Sequence, residues 1–304
     1  MELSVIIPTY NRGYVLTRCL EALYAQRGVQ EPWEIVVVDD GSTDDTQARL
    51  ELASAQAPLP LRSLRQMNCG PAAARNLAVR TARGRLVLFI GDDILAAPDL
   101  VAAHLMAHRH HSEPGTAMLG RVIWAPSMRV TPFLRWWDNY RFRFNKLDAG
   151  IKPDFTYFYT CNTSVQREFL LEHGLFDESF KVAAFEDTEL AYRLQRHGLN
   201  VLYIPEACAV HEHPMDFGMA LRQMEQNGRW VSLFRARTGY RGIPKLWDWL
   251  GHWPVTTWPI AAVSGWLCAL LQDLACVPPL AIPALMYHFR VGQRQVPQKP
   301  VHES

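Results

Sequence analysis

Apolar residues in the first hundred positions come in short continuous runs, and helix-period stretches separate them. Residues 3–8 and 35–38 are two such runs, both rich in Val and Ile, which suits a pleated buried surface. Residues 61–65 form a weaker third, and residues 85–90 a fourth that is apolar enough to be covered on both faces. Between them, Val15, Leu16, Cys19, Leu20 and Leu23 recur on one helical face, and a second helix is expected over 72–83, introduced by Gly70-Pro71. This alternation predicts βαβ units and a mostly parallel, Rossmann-like sheet flanked by helices, an α/β fold.

The carboxyl ends of such strands open onto a ligand crevice. Three polar clusters fall there: 9–12, Asp39-Asp40 and Asp92-Asp93. Adjacent carboxylates repel unless a cation or a proton lies between them, and a hard divalent ion, Mg2+ or Mn2+, would serve. The plainer reading of Asp92-Asp93 is a polar turn before a helix opened by Pro98. Neither GxGxxG nor GxxxxGK[ST] occurs, so a nucleotide would be held by side chains and a metal.

Further along, a helix is expected over 98–108, strands over 117–124 and 155–161, and a helix over 168–173. The mix of aromatic and basic residues at 133–144 suits stacking on sugars or bases, a phospholipid surface, or a half-buried helix with snorkelling arginines. Ser42 to Asp45 reads as a helix cap. Residues 186–197 form a helix closed by Gly198, with Asp187, Leu190, Ala191 and Leu194 on one face. Asp187 therefore points inward or caps the helix, while Glu189 and Arg193 read as a surface i, i+4 pair. Short strands over 201–204 and 207–210 lead to His211 and His213, which share a face as metal ligands or as structural histidines.

Composition narrows this little. The 304 residues carry a formal charge of +1, which gives no global pull toward nucleic acid. Six scattered cysteines without a CxxC pair indicate neither zinc nor a disulfide framework. The opening run is strand-like, not a signal peptide, which leads us to expect a cytoplasmic enzyme.

Ordered strings carry a resemblance: SVIIPTYNR at 4–12, IVVVDDGSTDDT at 35–46, GPAAARN at 70–76, LVLFIGDD at 86–93, CNTSVQR at 161–167, GLFDESF at 174–180 and EDTELAYRLQRHG at 186–198. Through them the chain resembles glycosyltransferase family 2, whose members have the GT-A fold and are inverting. The resemblance implies that Pro8, Thr9, Tyr10 and Arg12 line a nucleotide pocket, that Asp39, beside Asp40, accepts from the base, typically uracil, and that Arg75 approaches the nucleotide or its phosphates. It implies a divalent metal on the diphosphate, held by Asp93 with Asp92 and, as in some members, by His211. Asp187 would be the general base, with Glu186 shaping the acceptor side. Inverting displacement requires such a base on the face opposite the leaving group. The implied partners are a nucleotide-sugar donor, UDP-linked by the same resemblance, and a glycan or lipid-linked acceptor. One departure is Gly91, where the family motif usually has an acid.

The resemblance covers residues 3–213, so we expect a catalytic domain over 1–215, with a nucleotide-binding half (1–110) and an acceptor-side half (111–215), and a helical extension over 216–304. Residues 244–290 are rich in Trp, Pro and Leu, and 253–272 carry no charged side chain. This region reads as docking on the inner face of the cell membrane, as a span, or as a core or dimer interface. Two other classes compete with a glycosyltransferase: a sugar nucleotidyltransferase, which would want a Gly-rich basic loop after the first strand, and a non-catalytic membrane-associated sugar-binding protein.

Overall fold

The computed structural model describes residues 1–125, 128–212, 215–240, 242, 258–271 and 278–295. Strands β1 (Leu3–Thr9), β2 (Trp33–Asp39), β3 (Leu61–Arg65) and β4 (Leu86–Ile90) are mutually parallel and alternate with helices α1 (Gly13–Tyr24), α2 (Thr46–Ala55) and α3 (Pro71–Thr81). Val5, Ile6, Ile7, Val36, Val37 and all of β4 are wholly buried, so the central strands are covered on both faces.

The sheet continues past β4 with β5 (Ile94–Ala96), α4 (Leu100–His110), β6 (Thr116–Trp124), β7 (Asn162–Gln166) and β8 (Asn200–His211), in the order β3-β2-β1-β4-β7-β6-β8-β5. β7 runs antiparallel to β4 and β6. The strand expected over 155–161 is displaced to Asn162–Gln166. Asp154 accepts from the Thr156 N–H and turns residues Phe155–Tyr157 into a 3-10 helix. The two short strands expected over 201–210 are one strand, in which Gly120 pairs with Ile204 but Arg121 pairs with Cys208. This bulge forms where Pro205 has no N–H to offer the ladder. Asn162 fills it, donating to the carbonyls of Arg121 and Ala207.

The helices are α5 (Pro132–Arg141), α6 (Phe144–Asp148), α7 (Arg167–His173), α8 (Glu186–Leu194), α9 (Phe217–Thr238), α10 (Trp258–Leu271) and α11 (Pro278–Arg294). α8 tightens to a 3-10 turn over Gln195–His197 before Gly198 at φ +92°. The Glu189–Arg193 pair is not a surface pair: Glu189 is buried, and Arg193 also donates to the Leu175 carbonyl. Asp44 accepts from the Thr46 N–H at the start of α2, while Asp45 pairs with Arg49 and makes no side-chain cap.

The chain divides into one unit of Met1–Met128 with Phe144–His213, and another of Arg129–Arg143 with Pro214–Ser304. The aromatic-basic segment thus belongs largely with the C-terminal helices. There α5 is the half-buried helix, with Phe133, Leu134 and Trp137 inward and Phe133 edge-on to Phe217.

One polar cluster lies between α4 and β7 of the sheet. Asn162 donates both amide hydrogens, so its Oδ1 accepts from His104 Nε2 (2.9 Å). Neutral His104 Nδ1 then accepts from Ser164 Oγ (2.8 Å), and Ser164 accepts from His108 Nε2 (2.9 Å). Burial lowers His104 to about 4 and His108 to about 3. In the unfolded chain both titrate near 6.5, so it takes up protons before the native state does. Stability should fall as pH drops from about 6.5 to about 4, by on the order of 3 kcal/mol for His104 alone. Urea midpoints across that range in the wild type and in His104→Gln check this; the variant should lose much of the pH dependence.

Candidate functional site

β1 and β2 end in register at Thr9 and Asp39, which sets the polar loops after them side by side. Asn11, at φ +52°, locks the two loops together: its N–H donates to Ser42 Oγ (2.8 Å) and its Oδ1 accepts from the Thr43 N–H (2.7 Å). Nothing in the chain's periodicity marked Asn11, although a positive φ favours Asn. Pro8 lies within β1, and Tyr10 stands exposed at the start of the loop.

The two acids after β2 do different things. Asp40 spends both oxygens on the loop 66–70, accepting from Gln66 Nε2 (2.6 Å) and from the N–H groups of Cys69 (2.9 Å) and Gly70 (2.8 Å). It shapes the entrance to α3 and has little left for a ligand. Gly70, at φ +91°, also has the Lys181 carbonyl oxygen 2.6 Å from where a Cβ would sit. Asp39 is wholly buried; its Oδ1 accepts from the Ser42 N–H (2.8 Å), while Oδ2 has no hydrogen-bond partner and Arg65 Nε stays 3.6 Å away. A buried carboxylate oxygen without a donor is costly unless something supplies one.

Beyond β4, Asp92 accepts from Thr9 Oγ1 (2.9 Å) and pairs with Arg12 Nη1 (2.7 Å). Arg12 Nη2 pairs with Asp93 (2.9 Å), so one guanidinium spans both acids. The antiparallel pairing of Ile94 with His211 brings His211 Nε2 to 3.2 Å from Asp93 Oδ2, with its ring stacked on Trp124. Burial lifts Asp92 to about 7 against the pull of Arg12. Burial also opposes charge on Asp93, but His211 and Arg12 outweigh it and hold that carboxyl well below the usual range. At Gly91 a Cβ would lie 2.8 Å from Asp93 Oδ1, so the missing side chain leaves room for the Asp93 carboxylate.

The donor types here are ones a divalent ion accepts, but the Arg12 guanidinium already holds both acids. Asp93 and His211 converge as one oxygen and one imidazole donor with Asp92 beside them. Among the described residues no group of three His, Cys, Asp or Glu is placed to hold an ion. Phosphate oxygens and water would complete the coordination, as is common for Mg2+ at phosphate sites. His213 lies outside the described residues.

On the far side, Arg75 in the first turns of α3 donates to Glu186 Oε1 (2.9 Å) and lies over the Phe176 ring, which packs edge-on against Phe89 of β4. Its Nε is buried without a partner. This chain of contacts ties the start of α8 to the central strand. Asp187 Oδ1 accepts from the Thr188 N–H (2.7 Å) and from Thr188 Oγ1, which is a first-turn contact and not an N-cap. Burial lifts Glu186 to about 7, aided by Asp187 and opposed by Arg75. Burial also lifts Asp187, partly offset by Arg75 and Thr188.

Comparison with known proteins follows the same strands. A family model described as glycosyl transferase family 2 matches residues 4–174. An uncharacterized glycosyltransferase, YfnE, of Bacillus subtilis is 30% identical over 259 residues, covering 70% of this chain and 66% of that protein. The validoxylamine A glucosyltransferase of Streptomyces hygroscopicus subsp. jinggangensis is 32% identical over 222 residues, covering 65% of this chain and 52% of the relative. The chain therefore spans half to two thirds of the length of these relatives. Among solved structures, the mannosyltransferase PcManGT from Pyrobaculum calidifontis, in complex with GDP-Man and Mn2+, superposes with a TM-score of 0.65 at 20% identity, covering 97% of this chain and 86% of that one. TarS 1-349 of S. aureus in complex with UDP-GlcNAc gives a TM-score of 0.58 at 18% identity, covering 97% and 91%. The α/β fold is thus that of GT-A glycosyltransferases.

The two neighbouring acids should separate experimentally. Asp40→Ala strands three donors and should cost on the order of 2 kcal/mol, whereas Asp39→Asn, which can still accept from Ser42, should cost under about 1 kcal/mol. Thermal denaturation of the two variants without ligand measures the difference.

Proposed function

The chain belongs to glycosyl transferase family 2, and from that premise we propose that it moves a sugar, with inversion, from a UDP-linked donor to a hydroxyl of a lipid-linked or cell-surface glycan. The observation that carries this reading is Asp39 Oδ2, a buried acceptor without a donor at the carboxyl edge of the sheet. The imide N–H of uracil is a donor of the right kind. Exposed Tyr10 would cover the base, and the buried Arg75 Nε, which has no partner, is a donor that a phosphate oxygen could satisfy, whereas Arg12 would have to release Asp92 or Asp93 to meet one.

Asp187 would take the acceptor's proton. One of its oxygens is held by Thr188, which fixes the carboxylate's orientation, and burial makes it a better base than an exposed aspartate. Glu186, itself held by Arg75, would set the acceptor side of the same helix start. A divalent ion on Asp93 and His211, with Asp92 reached through water, would neutralise charge on the departing diphosphate. Support for UDP comes from the UDP-GlcNAc complex of TarS, while the GDP-Man complex of PcManGT makes GDP the comparison to run. A nucleotidyltransferase finds less support here, because the loop after β1 is pinned through Asn11 and is not Gly-rich.

Thermal shift with UDP and GDP, each with and without Mn2+, tests the donor half. A shift with UDP that needs the metal is expected, and a GDP-only shift would overturn the base assignment. Asp187→Ala should lower transfer by on the order of 10³-fold while the UDP shift survives. Turnover equal to wild type would remove Asp187 from the mechanism, and a product of retained anomeric configuration would remove the inverting displacement. Because Asp187 acts ionised and burial raises its pKa, the rate should fall on the acid side at a higher pH than an ordinary aspartate would give.

A further inference from the structure

α10 has an inward and an outward face, and both are apolar. Ala261, Ser264 and Cys268 point inward, and Gly265 comes so close to α11 that a Cβ would sit 3.4 Å from the Ala284 methyl. Outward stand Ile260, Val263, Trp266 and Leu270, the last three 60–65% exposed, and Ala262 and Ala269 fill the gaps between them. The helix's only hydroxyl, Ser264, is buried and bonded to the Ala261 carbonyl. A helix facing water carries polar residues on its outer stripe. A continuous apolar stripe of this kind marks a surface that something else covers.

Charge and geometry select what covers it. The unit that contains α10 holds thirteen Arg and Lys against six Asp and Glu, a formal charge of +7. The other unit holds eighteen against twenty-four, a charge of −6, so the near-neutral total hides a strong segregation. Two copies joined through α10 would bring two such cationic units together, whereas an anionic lipid surface complements them. Trp266, on that outer face and 65% exposed, is of the residue type that favours headgroup depth. The helix's 14 residues extend about 21 Å, short of the ~30 Å hydrocarbon core. No helix among the described residues is long and apolar enough to cross a membrane.

We propose that the outer face of α10 is a docking surface for an anionic bilayer, with Ile260, Val263, Trp266 and Leu270 inserted at the boundary between headgroups and acyl chains. The helix lies along the surface and does not cross it. This inference does not depend on the reading of the crevice, and its failure would leave the nucleotide-binding test unaffected.

Co-sedimentation of the full chain with vesicles tests it, using phosphatidylcholine alone and phosphatidylcholine mixed with phosphatidylglycerol. Sedimentation with the mixed vesicles is expected, at least about tenfold weaker with the neutral ones and weakened by salt. Val263→Asp and the milder Trp266→Ser each alter an exposed side chain, so both should keep the wild-type melting temperature, and each should reduce partitioning, Val263→Asp by about tenfold or more. Failure of the wild type to sediment with anionic vesicles would overturn the proposal, as would variants that bind as well as wild type. It would equally be overturned by a dimer in sedimentation velocity that Val263→Asp splits while wild type ignores lipid.

Discussion

Carboxylates buried at the carboxyl ends of the sheet's strands and at the start of α8 are what the first unit has to accommodate. Asp39, Asp40, Asp92 and Glu186 are all almost inaccessible. A buried charge needs a partner, and removing the partner typically costs about 3–5 kcal/mol. The unit supplies partners of two kinds: backbone N–H groups for Asp40, and guanidinium groups, Arg12 for Asp92 and Asp93 and Arg75 for Glu186. These same contacts hold the loops after β1, β2 and β4 and the start of α8 in one arrangement. The local fold of the crevice and its charge balance are therefore a single problem.

What the compensation leaves over is the useful part. Asp39 keeps one oxygen without a donor, Arg75 keeps Nε unbonded, and Asp187 is held through one oxygen only. Each is oriented through other atoms of its side chain, the arrangement that the proposed ligand site would need. Asp92 and Asp93 also diverge although they are adjacent. Arg12 spans both, but Thr9 completes the set on Asp92 and His211 the set on Asp93. Gly91 is part of this division, since a side chain there would press on the Asp93 carboxylate.

The second unit solves a different problem. α9, α10 and α11 are packed with small residues at their contacts: a Cβ at Gly228 or Gly292 would run into backbone of the facing helix. That packing buries the inner faces and leaves the outer face of α10 apolar, with basic residues elsewhere in the unit.

By itself the sequence determined the elements and the ligand edge. Continuous apolar runs such as 86–90 can be buried strands whatever surrounds them, and a parallel sheet opens at its carboxyl ends, so Thr9, Asp39 and Asp92 could be placed together from pattern and topology. The resemblance added roles for individual residues. Only the tertiary structure decided how those residues are used. Asp39 and Asp40 look equivalent in the chain, but Gln66, Cys69 and Gly70 claim one of them. Asp93 meets His211 because β5 and β8 pair across a hundred residues. The strand at Asn162–Gln166 begins after its apolar run because of the Asp154 turn, and the two runs at 201–204 and 207–210 join into one bulged β8 held by the side chain of Asn162, features that hydrophobic period does not record. Local periodicity records which face of an element is buried; which donor reaches which acceptor depends on partners distant in sequence, and only the folded chain brings them within hydrogen-bond range.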